Sequence, residues 1–204
     1  MNRPSRIFAL LALATSIAAC SVGSPEAVAS PTVAGSPSAS PAEAPSPAEP
    51  TPDVATVLAA DGLGPYVVGA SLSDLESRGL VANIEPSFHC DDSWQGAEAT
   101  GRHAGELTVS FYMGRLSHVH THSTEFVTPS GAHFGMPLTE LQDIYRDRGT
   151  IITGWMGNEA VSVRVPNTEL GIVFYLDEAN TNVRSISAGT VEPLEDLARN
   201  GEGC

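Results

Sequence analysis

From about residue 55 onward, one pattern of apolar and polar positions occurs twice along the chain. Gly69–Leu75 reads GASLSDL and Gly135–Leu141 reads GMPLTEL. In both, a glycine is followed by a polar residue or proline and then by an acidic residue, a combination typical of a helix N-terminus. Each pattern ends at a glycine, Gly79 or Gly149, as expected where a helix stops. Two short helices are therefore predicted.

A hairpin pattern follows each predicted helix. Apolar and polar residues alternate in Leu107–Met113 and again in Leu170–Leu176. The chain then turns, at Gly114 or near Asn180, into the return strands 116–122 and 183–187. Ala160–Val165 supplies a further strand in the second copy. We predict an α+β fold that is a tandem duplication over about 62–124 and 126–190, each copy a short helix packed on about three antiparallel strands.

These tandem units resemble the β-lactamase-inhibitory-protein-like architecture, and the small outer-membrane assembly lipoproteins of the SmpA/OmlA type are similar as a single copy. The resemblance rests on the short Gly-x-Ser/Pro-Leu-x-x-Leu helix that leads into a hairpin, and it covers about residues 65–190. It implies helices packed on an antiparallel sheet, with a free sheet face used for protein contacts. The motif carries no family binding residue onto this chain, and a shared fold alone does not imply the inhibitory function.

The N-terminus has the pattern of a targeting segment. Arg3 and Arg6 precede an apolar run over 7–19, which is too short to span a bilayer core of about 30 Å. The run ends in Ile17-Ala18-Ala19-Cys20, which resembles the bacterial lipobox. The resemblance implies cleavage before Cys20 and attachment of a diacylglyceryl group, palmitate included, to this cysteine, and its two acyl chains give the stable anchoring that one chain would not. We predict a signal peptide over 1–19 and a lipid anchor at Cys20; the alternative is an ordinary secretory signal.

Residues 20–54 show no hydrophobic period. Eight of the fifteen prolines lie in this stretch, among Ala, Ser, Thr and Glu. Such a composition favours an extended, disordered tether between the anchor and a folded domain over 55–204 that ends in a C-terminal tail.

Composition and charge then narrow the classes of function. The formal net charge is −14, and all basic residues are arginine. This excludes a nucleic-acid partner, because the phosphate backbone would be repelled. The chain has no zinc-protease, nucleophile-elbow, P-loop or dinucleotide motif, so we expect no enzymatic activity.

With Cys20 lipidated, Cys90 and Cys204 form an even pair in an oxidising compartment, and a disulfide between them is expected. The alternative is a nucleophilic Cys90 with His89 as its base. It is disfavoured, because adjacent side chains of an extended segment point to opposite sides.

The segment His118-Val119-His120-Thr121-His122 places three imidazoles on one face of a predicted strand. With Val119 facing the core, the histidines are expected to face solvent. One interpretation is an ordinary solvated strand face. The alternative is a Zn or Cu site that uses two of the histidines, with a third ligand from His133, His89 or Glu125.

Tyr112 and Tyr175 occupy equivalent positions in the two copies and are expected to point away from the core. With Trp94 or Trp155 they would form an aromatic platform for a partner, since Tyr and Trp anchor interfaces. Covering the sheet is the other role open to them.

Together these features predict a lipoprotein on the extracytoplasmic face of the cell membrane. Its folded part would be a non-catalytic module that needs no cofactor and binds an extracytoplasmic protein. The alternative function is a Zn or Cu carrier or sensor that uses the strand His118–His122.

Overall fold

One large antiparallel sheet organises the protein. The computed structural model describes residues 56–87 and 92–201, with Trp155 described through its backbone alone. The predicted lipid anchor, the tether, His89, Cys90 and Cys204 lie outside these residues. The elements are β1 (Gly62–Leu63), β2 (Tyr66–Val67), α1 (Leu72–Ser77), β3 (Val81–Pro86), β4 (Trp94–Ala99), β5 (Leu107–Tyr112), β6 (Arg115–Thr121), α2 (Leu138–Tyr145), β7 (Gly149–Thr153), β8 (Glu159–Arg164), β9 (Leu170–Leu176), β10 (Val183–Thr190) and α3 (Val191–Asn200).

The eight longer strands form a single sheet in the order β3-β4-β5-β6-β10-β9-β8-β7, while β1 and β2 pair separately. Every pair of neighbours is antiparallel. Each half of the sheet is a run of consecutive strands, and the halves meet where β6 pairs with β10. The predicted α+β class with an antiparallel sheet is confirmed.

The predicted helices and hairpins lie close to the expected positions, with two corrections. Four strands follow each of α1 and α2, where about three were expected, because β3–β4 and β7 were not recognised in the sequence. The predicted C-terminal tail contains a ten-residue helix, α3. Its end is marked by Gly201, which adopts the left-handed conformation that favours glycine at φ 73°.

Most of the core lies on one side of the sheet, which we call the apolar face. Leu75 of α1 and Leu141 of α2 pack there against inward-facing strand residues such as Phe111, Val119 and Phe174, all of them at most 1% exposed. No helix within the described residues is long and apolar enough to cross a bilayer.

The opposite side, which we call the polar face, is partly covered by α3. This helix packs on β7, β8, β9 and β10. A second, smaller apolar cluster combines Leu194 of α3 with the strand residues Ile152, Ala160 and Val173.

Two glycines let α3 approach the sheet closely. A Cβ atom at Gly171 would lie 2.8 Å from Val191 Cγ2, and one at Gly154 would lie 2.1 Å from the carbonyl oxygen of Ala198. Any larger residue at either position would push one end of α3 away from the strands.

Candidate functional site

The polar face is built by the residues that alternate with the core positions of β6 and β10. Val119 points into the apolar face and is wholly buried, as predicted. His118 and His120 therefore point to the other side, where His118 lies opposite Gly189 and His120 opposite Ser187.

The prediction that the histidines face solvent is wrong for His118, which is 6% exposed. Its ring lies 6.2 Å from that of Trp94, which covers one side. Gly189 lets β10 approach closely, since a Cβ there would be 2.6 Å from His118 Cβ. Burial, and secondarily the neighbouring His120, lowers the pKa of His118 to about 4. The imidazole is therefore neutral at pH 7.

His120 belongs to a hydrogen-bonded group that joins three strands and α3. Its Nδ1 lies 2.9 Å from the Ser187 hydroxyl, and its ring meets that of Tyr175 edge-on at 6.2 Å. The Tyr175 hydroxyl donates to the carbonyl oxygen of Leu194 at 3.3 Å. Burial, with His122 and Arg184 as further causes, lowers the pKa of His120 to about 4. Burial also raises the pKa of Tyr175.

This group is structural in form. Ser187 is 0% exposed, so its hydroxyl cannot meet a substrate, even though it is bonded to an imidazole as in a nucleophile and base pair.

The described residues do not by themselves assemble the predicted metal site, of which His89 lies outside them. His118 is buried, whereas His122 lies beyond the end of β6 and is exposed. Of the other two described candidates, His133 has its Nδ1 bonded to the carbonyl oxygen of Phe134, and Glu125 is exposed. Within 56–87 and 92–201, no group of three or more His, Cys, Asp or Glu residues is placed to hold a metal ion.

The two predicted interface tyrosines have different surroundings. Tyr112 is 43% exposed and packs on Trp94, with ring centroids 5.0 Å apart. Tyr175 lies half-buried beneath α3, so it covers the sheet and is not part of a platform with Tyr112. Trp155 lies in a short 3₁₀ turn over 155–157, and its side chain is outside the described part of the structure.

A cavity of about 640 Å³ lies beside Tyr112, between the sheet and the first turns of α3. We call it the aromatic cleft and define it by Trp94, Tyr112, Arg115, Glu192 and Asp196, which line it. Sequence reasoning identified the two aromatic residues but missed the charged ones. The spacing of Val191, Leu194 and Ala198 was the available signal, because it is the apolar spacing of an amphipathic helix.

A second cavity of about 520 Å³ lies near the other end of α3, lined by residues that include His120, Tyr175, Arg184 and Leu197. Between the cleft and the far edge of the sheet, β4 and β5 leave their polar face accessible: Glu98 and Thr108 are exposed and Ser110 is half-buried. The polar face is thus covered by α3 over its second half and accessible over its first.

No family model matches this chain, and no curated protein matches it. Among solved structures, it is similar to the uncharacterized protein yfeY from Escherichia coli, with a TM-score of 0.46 and 13% identity over 66% of this chain and 99% of that chain. It is also similar to an extracellular protein containing a SCP domain from Bacillus anthracis, with a TM-score of 0.43 and 12% identity over 65% of this chain and 46% of that chain.

Proposed function

We propose that this protein is a lipid-anchored, extracytoplasmic binding module that holds a protein partner in the aromatic cleft. The observation that carries the proposal is the exposed Tyr112 ring, which packs at an interplanar angle of 41° against Trp94 at the side of a cavity of about 640 Å³. Exposed aromatic side chains backed by a rigid neighbour are typical anchors of protein interfaces. No catalytic role is proposed.

The charges around the cleft define the partner's chemistry. Glu192 and Asp196 line it from α3, one turn apart on the same side of the helix, while Arg115 lines it from β6. The Arg115 guanidinium donates to the carbonyl oxygen of Gly69 at 3.2 Å, which holds it against the rim. Because Asp196 is already ion-paired with Arg199 at 3.2 Å, Glu192 is the carboxylate that the cleft offers to a partner. The cleft therefore suits a peptide segment that brings an apolar or aromatic side chain beside a basic one.

The anchor and the disulfide belong to the same proposal. Ile17-Ala18-Ala19-Cys20 supports lipidation at Cys20, with the proline-rich segment as a spacer from the membrane. A Cys90–Cys204 disulfide would tie the end of the chain to the β3–β4 connection. It is supported by the sequence, in which Cys90 and Cys204 are the even pair left in an oxidising compartment once Cys20 is lipidated.

We also propose that the domain arose by tandem duplication and that it resembles the β-lactamase-inhibitory-protein-like architecture. The support is the arrangement of elements: each half is one helix followed by four consecutive strands, and the halves join through their last strands.

The binding proposal is tested with the full chain in its native membrane. A photocrosslinking residue, p-benzoylphenylalanine, is placed at Tyr112, and at the exposed Gln142 of α2 as a control. We expect a discrete adduct with another protein from position 112 and none from position 142. Equal adducts from both positions, or none from either, would contradict the proposal.

Charge reversal sharpens this experiment. Glu192→Lys should abolish the adduct at position 112, because it repels a basic partner residue. Glu178→Lys makes the same change at the exposed β9–β10 turn and should leave the adduct intact. Loss of the adduct in both variants would point to net charge and not to the cleft. Separately, Cys20→Ser should release the protein from the membrane fraction.

A further inference from the structure

The two edge strands of the sheet, β3 and β7, differ in how they are protected against further pairing. The register of β3 is broken between Ala82 and Glu85, where Asn83 has a φ of 52°. Pro86, at the end of β3, has no N–H to donate. A bulge, a charge and a proline are the devices that prevent an edge strand from accepting another strand.

The β7 edge lacks all three devices. Its pairing with β8 runs without interruption from Gly149, opposite Val163, to Thr153, opposite Glu159. Residues 149–158 contain no charged residue and no proline, in a chain with 24 acidic side chains. A flat, uncharged edge strand is a template for pairing with another chain.

Exposed apolar side chains accompany this edge. Ile151, at the centre of β7, is 47% exposed, and Val165, directly after β8, is 37% exposed. Met156, in the β7–β8 connection, is 79% exposed and adopts a φ of 63°. That conformation is unfavourable for methionine, so the connection holds a strained apolar residue in solvent beside the open edge.

We propose that β7 is a self-association edge, where the β7 strand of a second copy pairs antiparallel with the first. The edge itself favours this occupant, because the β7 strand of a second copy offers the same uncharged backbone with an exposed isoleucine at its centre. Two copies of net charge −14 repel each other, and the uncharged stretch 149–158 is a surface where they can approach with little repulsion. The chain's proline-rich segment 20–54 is a poor occupant, because each proline removes a donor from the ladder.

Symmetry fixes the register of this pairing. Directly opposite residues in an antiparallel pair share a face of the sheet, so a two-fold axis perpendicular to the sheet must pass midway between the two copies of a single residue. Only an axis midway between the two copies of Ile151 pairs all five residues of β7. Ile151 then lies opposite Ile151 of the second copy, and Thr153 opposite Gly149. Burial of the two exposed isoleucines against each other would add to the backbone hydrogen bonds.

One strand pair is a small interface, so the association is expected to be weak and is best measured in the native membrane. Full-length protein carries p-benzoylphenylalanine either at the exposed Thr153 of β7 or, as the matched control, at the exposed Ala82 of β3. We expect a crosslinked species of twice the chain mass from position 153 and none from position 82. Mapping of the crosslink should join position 153 to a peptide that contains Gly149, and mixed isotope-labelled copies should show that it links two chains.

Variants at the exposed Ile151 test whether the β7 edge itself forms the contact between two copies. Ile151→Lys should remove the doubled species, because two ammonium groups would face each other across the axis, while Ile151→Val should retain it. An adduct of any other mass at position 153 would overturn self-pairing in favour of a different partner. Equal yields from positions 82 and 153, or no effect of Ile151→Lys, would overturn it as well. None of these results depends on the aromatic cleft, which lies at another part of the sheet.

Discussion

The two faces of the sheet are made by the same strands but are held to their helices by different forces. On the apolar face, α1 and α2 bury a continuous cluster that includes Leu75, Phe111, Leu141 and Phe174. On the polar face, the buried apolar residues against α3 amount to a small cluster around Leu194.

Polar contacts supply much of what holds α3 to the sheet. Glu195, 5% exposed, accepts from the Ser162 hydroxyl at 2.8 Å and from both Nε and Nη2 of Arg164. Arg199 donates a further bond to the same carboxylate at 2.7 Å. These donors hold the pKa of Glu195 near 2, with Arg164 the largest cause. The comparison indicates that the apolar face contributes most of the stability of the fold. The polar face can therefore be covered by α3 over one half and accessible over the other.

The largest effect is expected from a pair of matched leucines. Leu141 in α2 and Leu194 in α3 are both 0% exposed. Leu141→Ala should lower the free energy of unfolding by about 3–5 kcal/mol, because the surrounding core cannot collapse onto the cavity. Leu194→Ala should cost about 2–3 kcal/mol, because the small cluster can relax around α3. Urea unfolding measures both. Equal losses would show that the two faces contribute alike.

Next in size is the loss of the Glu195 contacts. Glu195→Gln should lower the free energy of unfolding by about 1–2 kcal/mol, since Arg164 and Arg199 are 60% and 46% exposed and regain water when released. Hydrogen exchange should show faster exchange in α3 and unchanged exchange in α2. As a control, Asp74→Asn removes the exposed ion pair with Arg78 and should change little.

The Glu195 carboxylate also makes the free energy of unfolding depend on pH. The pKa of Glu195 is near 2 in the folded chain against an ordinary 4.5. Its ionised carboxylate therefore adds to the free energy of unfolding above pH 4.5, and this stabilisation is lost as the pH falls from 4.5 towards 2. Urea unfolding between pH 5 and pH 2.5 should therefore show a smaller decline for Glu195→Gln than for the parent chain. Parallel declines would contradict the ion-pair account of how α3 is held.

The buried histidines act in a separate pH window. Their pKa values near 4, against an ordinary 6.5, mean that the unfolded chain binds protons first as the pH falls. The two neutral imidazoles therefore add to the free energy of unfolding above pH 6.5, and this stabilisation is lost progressively between pH 6.5 and about 4. His120→Gln should make the unfolding free energy less steep in this window. An unchanged slope would mean that His120 is not buried in the neutral form.

The smallest effect is expected at the accessible half of the polar face. Tyr112→Ala should cost about 0.5–1 kcal/mol, roughly the value of its ring contact with Trp94, because the ring is nearly half exposed. Urea unfolding checks this value. A loss as large as that from Leu194→Ala would make Tyr112 part of the core and weaken its assignment to a binding cleft.

Local patterns in the sequence were sufficient to predict most of the fold. The helices near Leu72 and Leu138 and the two hairpins follow from alternation and turn residues, which act over a few positions. The strand β3 was missed because Asn83 and Pro86 interrupt its alternation, and β7 because GTIIT is short and has no clear period.

The candidate site was less predictable, because it depends on contacts between distant segments. The core position of Val119 predicts which face of the sheet His118 lies on. The burial of His118, however, depends on Trp94 and Gly189, which lie far away in sequence. Tyr112 and Tyr175 look equivalent in the sequence, and only the placement of α3 makes one exposed and the other half-buried. The aromatic cleft likewise combines β4, β6 and α3, whose packing no local pattern records.

The order of strands also has a consequence for how the chain folds. Within the described sheet, every strand pair except β6–β10 joins strands that are consecutive in sequence. Each four-stranded half can therefore assemble by closing short loops, whereas β6–β10 must close a long one at a greater entropic cost. Substitutions along this seam, at His118, His120, Ser187 or Gly189, should act on the rate at which two partly formed halves join, more than on the formation of either half.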